Sequence, residues 1–68
     1  MAGAPSLRAQ QALLDAVQRE HPGARLRIVD AHGFTLGRVE REAHPRWFFV
    51  GYCDDLMLRY GIPFGDAA

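Results

Sequence analysis

The chain has 68 residues, eight of them basic and eight acidic, for a formal net charge of zero. That length accommodates one domain and leaves no room for a second, and a domain this small buries only about 60% of the surface its unfolded chain exposes. The neutral balance excludes a strongly basic nucleic-acid binder and an acidic nucleic-acid mimic, and 49% hydrophobic content excludes a disordered chain.

Met1–Pro5 reads as a frayed tail. Ser6 is a good N-cap, because its hydroxyl accepts from a free amide of the first helical turn. Leu7, Leu13, Leu14 and Val17, with Ala9, Ala12 and Ala16 among them, repeat at the helical period, and Arg8, Gln11, Asp15, Gln18 and Arg19 fill the polar side. His21-Pro22-Gly23 ends this helix. Arg25–Asp30 alternates as a half-buried strand, with Leu26 and Ile28 facing one way and Arg25, Arg27 and Val29 the other. Ala31-His32-Gly33 is a turn. Phe34–Glu42 is the returning strand, and its slipped alternation predicts a bulge at Gly37. Ala43-His44-Pro45 turns into Arg46–Tyr52, a strand dense in aromatic and β-branched residues. Alternation sends Trp47 and Phe49 to one face and Phe48, Val50 and Tyr52 to the other. Asp54 or Asp55 caps a last short helix with Leu56, Met57 and Tyr60 on its apolar side. Gly61 ends it, and Gly65–Ala68 is a second frayed tail. The expected architecture is α+β: a helix, a three-stranded antiparallel β-meander and a short C-terminal helix, as one small domain over residues 1–68.

Phe48 to Leu58 includes Tyr52-Cys53-Asp54-Asp55 between apolar stretches. It resembles the reverse-transcriptase polymerase motif, in which paired carboxylates hold divalent metal for nucleotide transfer. Asp30-Ala31-His32-Gly33-Phe34 is a weaker echo of the first motif of that family. The resemblance covers about a third of the chain and lacks the fingers, the rest of the palm and the long spacing between the motifs. The residues themselves read as Tyr52 ending a strand and two aspartates opening a helix, where the dipole suits them. The element order is similar to that of the double-stranded-RNA-binding domain. That family places a basic cluster at the start of its second helix, where this chain carries Asp54 and Asp55.

Other chemistry is sparse. His21, His32 and His44 sit at turns and match no zinc-ligand spacing. Cys53 lies beside two carboxylates, which disfavour a reactive thiolate. As the single cysteine it forms no internal disulfide, so we expect a reducing, cytoplasmic setting. Met1–Ser6 has no leader pattern, and the apolar run Trp47–Val50 is too short to span a bilayer, so no membrane partner is expected. No Gly-rich phosphate loop occurs, and we expect no catalytic residue, metal, cofactor or small-molecule substrate.

What stands out is apolar surface on both faces of the third strand, with only two helices to cover it. We therefore expect a non-enzymatic protein-binding module, a small regulator, adaptor or inhibitor of the kind mobile elements encode. It would contact another protein or a second copy of itself through Trp47 and Phe49, flanked by Arg25, Arg27 and Arg46. The alternative is an RNA- or DNA-binding module using the arginine-rich strands. Against that stands cross-strand pairing of the arginines with Glu40 and Glu42.

Overall fold

The computed structural model describes residues 4–31 and 36–65. Helix α1 spans Leu7–Glu20, strands β1, β2 and β3 span Leu26–Val29, Arg38–Ala43 and Arg46–Tyr52, and helix α2 spans Cys53–Tyr60. The strands form one antiparallel sheet in the order β1-β2-β3. The architecture is the α+β arrangement expected from the sequence.

Ser6 caps α1 as anticipated, its Oγ accepting from the Ala9 amide at 3.1 Å. Chain order begins earlier than expected, since Pro5 is buried and its carbonyl accepts from the Gln10 side chain at 2.9 Å. Positions 1–3 and 66–68 of the expected tails lie outside the described residues. The helix buries Ala9, Leu13, Ala16 and Val17. Leu7, placed on the apolar stripe by its spacing, is instead 82% exposed, because at 100° per residue it falls on the side of the helix away from Ala9, Leu13, Ala16 and Val17. At the other end the Gln18 amide donates to the carbonyls of His21 and Ala24, at 2.9 and 2.8 Å, and so fixes the turn into β1.

The register differs from the sequence reading in two linked ways. The returning strand was expected over Phe34–Glu42. It begins at Arg38; Leu36 and Gly37 lie outside it, and positions 34 and 35 are outside the described residues. Nor does the bulge fall at Gly37. Val39 pairs with Gly51 and Glu40 with Phe49, which leaves Val50 as the extra residue in β3. An extra residue resets the alternation beyond it. Tyr52, expected with Phe48 and Val50, therefore joins Trp47 and Phe49, and its ring centroid lies 5.0 Å from that of Phe49.

Both helices cover the face carrying Leu26, Ile28, Val39 and Val50. Leu13 and Val17 of α1, Val39 of β2, and Cys53, Leu56 and Met57 of α2 form its buried centre. The contact between α2 and β3 is close enough that a Cβ on Gly51 would lie 2.9 Å from Leu56 Cγ. Phe48 faces the same way but is 44% exposed, because it sits toward the β2–β3 turn and beyond the helices. Phe48 is therefore not part of the core that its parity with Val50 would suggest, and Arg41 lies over its ring at 5.4 Å.

Helix α2 starts one residue before the aspartates, at Cys53. Tyr52 is the N-cap residue and makes no side-chain cap bond, so Asp54 and Asp55 stand in the first turn and not at the cap. At its end Gly61 takes φ 69°, and the amides of Gly61 and Ile62 donate to Leu58 and Met57. These are the paired bonds of a Schellman ending. Ile62 and Phe64 then pack on the helix side of the sheet, with the Phe64 carbonyl accepting from the Ser6 amide. They do not cross the opposite face.

Candidate functional site: the open face of the sheet

Alternation in three paired strands puts Arg27, Arg38, Glu40, Glu42, Trp47, Phe49 and Tyr52 on the face away from the helices. Among the described residues nothing is packed across it. Phe49 is 55% and Tyr52 56% exposed, whereas Trp47 is half-buried.

Cross-strand chemistry accounts for that difference. The Arg27 guanidinium lies 4.0 Å above the Trp47 ring, a cation–π contact, while donating to Glu40 Oε1 at 2.7 and 2.9 Å. Arg38 donates to the other Glu40 oxygen at 3.2 Å and also pairs with Asp30. Arg25 pairs with Glu42 at 3.3 Å, and its carbonyl accepts from the Glu42 amide. Glu40 is thus 9% exposed beneath two guanidiniums. The hydrogen bond from Arg27 holds its carboxyl below the usual carboxylate range, against the opposing effect of burial, with Arg38 adding to the fall. The ladder of charges is therefore balanced: three arginines meet Asp30, Glu40 and Glu42.

Of the residues expected at a partner surface, Trp47, Phe49, Arg25 and Arg27 share this face. Arg46 does not. It pairs with Ala43 beside the turn and has the parity of Phe48, on the helix side. Tyr52 belongs to the face although spacing did not place it there, whereas the pairing of arginines with Glu40 and Glu42 across strands is as the sequence reading expected. Only the missing partner of Val50 would have revealed Tyr52, and an extra residue leaves no mark in a run of apolar side chains. Glu40 carried a signal, since it is the acid opposite Arg27 in a hairpin register.

Of the two stretches similar to polymerase motifs, residues 32–34 of the first lie outside the described residues, but its Asp30 does approach the aspartates of the second. Asp30, Asp54 and Asp55 line one hollow of about 300 Å³ at the end of the sheet, together with Leu36, Gly37, Arg38 and Tyr52. Yet Arg38 occupies the Asp30 carboxylate, and among the described residues no three His, Cys, Asp or Glu side chains converge as a metal-ion site.

Cys53 is fully buried, and burial, followed by the charge of Asp54, pushes its thiol up to about 11. At neutral pH it is protonated and shielded, the opposite of an activated nucleophile. We expect a thiol-specific disulfide reagent at pH 8 to label Cys53 only as fast as the chain opens. Adding urea should accelerate labelling by orders of magnitude. Rapid labelling of the folded chain would show an accessible thiolate.

Compared with known proteins, the chain matches no family model, no curated protein and no solved structure. No helix among the described residues is long and apolar enough to cross a membrane.

Proposed function

We propose that the chain is a non-enzymatic protein-binding module, a regulator, adaptor or inhibitor that docks on another protein or a second copy through the open sheet face. The supporting observation is the pairing on that face. Its arginines are already matched by carboxylates, so its net charge is near zero, while Phe49 and Tyr52 stand in water along its β3 edge. Phosphate binding draws on uncompensated cations, whose counterion release supplies the affinity. A neutral face with exposed aromatics suits a protein surface, where aromatic anchors carry much of the binding energy. A buried, protonated lone cysteine fits a reducing cytoplasmic setting.

Affinity capture with the immobilised chain, followed by titration of the captured protein, tests this reading. Phe49→Ala is expected to weaken that complex by about 2 kcal/mol, roughly thirtyfold, with little change in melting temperature. Light scattering on the free chain detects the second-copy case. Sub-micromolar, steeply salt-dependent binding to labelled oligonucleotides, abolished by Arg25→Ala with Arg27→Ala, would replace it with the nucleic-acid alternative.

A further inference from the structure

The surface around Tyr52 continues past the open face. Tyr52 lines the hollow that holds Asp30, Asp54 and Asp55. It also lines a second hollow of about 370 Å³ between the free edge of β3 and α2, together with Phe49, Val50, Gly51, Asp55, Leu56 and Arg59. Tyr52 and Asp55 belong to both, so one short segment of chain passing Tyr52 reaches both.

The charges of the two hollows differ. In the first, three carboxylates face one guanidinium, Arg38, which is already engaged by Asp30 and Glu40. Asp54 and Asp55 have no cation paired with them among the described residues; the recorded bond between them is the Asp55 amide donating to Asp54 Oδ1 at 2.9 Å. The second hollow has an apolar floor of Val50 and Leu56, and its own cation, Arg59, opposes a basic group there. A guanidinium suits the first hollow in particular, because it can lie flat on an aromatic ring while its edge meets carboxylates. The molecule already uses that combination where Arg27 covers Trp47 and bonds Glu40.

We propose that Tyr52, Asp54 and Asp55 receive an arginine from a partner protein, held against the tyrosine ring by the two carboxylates, while an adjacent apolar residue of the same segment fills the hollow over Val50 and Leu56. This names the partner chemistry of the docking surface described above and rests on that reading.

The test is selection of a random dodecapeptide library, displayed on phage, against the full chain. Enriched sequences are expected to carry arginine within two positions of an aliphatic or aromatic residue. A synthetic peptide of the most enriched sequence should lose about tenfold or more in affinity for the Asp54→Asn, Asp55→Asn variant. It should lose as much for the wild-type chain when its arginine is replaced by citrulline, which keeps the shape, removes the charge and cannot affect folding of the domain. Three results would overturn the proposal: enriched peptides with no excess of basic residues, an affinity indifferent to citrulline, or a self-associated chain whose second copy excludes the peptide. Uncharged peptides that bind and are lost with Phe49→Ala would sink this inference alone and leave the protein-binding reading standing.

Discussion

Leu13→Ala is expected to lower the melting temperature by roughly 10 °C or more and to leave much of the chain unfolded at 37 °C. Leu13 is fully buried at the middle of α1, in the cluster formed with Val39, Leu56 and Met57. Truncating a leucine in such a position costs about 2–5 kcal/mol, the lost transfer energy plus the cavity left behind. A domain of this size has total stability on the order of 5 kcal/mol, so one truncation removes a large part of it. Collapse of the neighbours into the space is limited, since they belong to two other elements, β2 and α2. Thermal and urea denaturation followed by circular dichroism reads the loss; a change under 1 kcal/mol would show that α1 is not the main cover of the sheet.

Gly37→Ala has a comparable expected effect for a different reason. Gly37 has φ 87°, in the left-handed region that L side chains rarely adopt. A Cβ there would also lie 2.8 Å from the Val29 carbonyl oxygen and 3.0 Å from Ala31 Cα. Those are backbone atoms at the end of β1, so relief requires moving the strand and not a side-chain tip. The Gly37 carbonyl accepts from the Cys53 amide at 3.0 Å, which couples the same displacement to the first turn of α2. We expect a loss of about 2–4 kcal/mol, combining backbone strain with the clash. Amide exchange should speed first at Val29 and Cys53. A variant as stable as the parent would mean that the β1–β2 connection has room to shift.

The parts of the fold that were legible in the sequence are those with a local cause. Ser6 and Gly61 bound their helices by hydrogen bonds within a few residues, and Arg46–Tyr52 is a strand by composition. Alternation in β1 separated Leu26 and Ile28 from Arg27 correctly, because no extra residue interrupts it. What could not be read depended on pairing between strands. The slipped alternation around Gly37 pointed to a bulge, but the extra residue is Val50 in the facing strand. That displacement moved Tyr52 to the open face and changed the site from two aromatic residues to three. Arg46 is a different case: neighbours in a strand point to opposite faces, so its place opposite Trp47 was already legible in the alternation. The aspartates were legible as residues of a helix start, whereas their approach to Asp30 is a tertiary fact.

On the proposed reading, the open sheet face is where another protein docks. The chain contains one tryptophan, Trp47, and that residue lies on this face beneath Arg27. Its emission therefore reports on the surface in question with no introduced label. The most direct measurement is the emission maximum and acrylamide quenching of Trp47 as the captured partner, chosen or altered to lack tryptophan, is added; for a second copy, the chain itself is concentrated. Docking on this face predicts a blue shift and a several-fold fall in the quenching constant that saturate with binding. Saturated binding with Trp47 emission and quenching unchanged would place the partner elsewhere and contradict the claim.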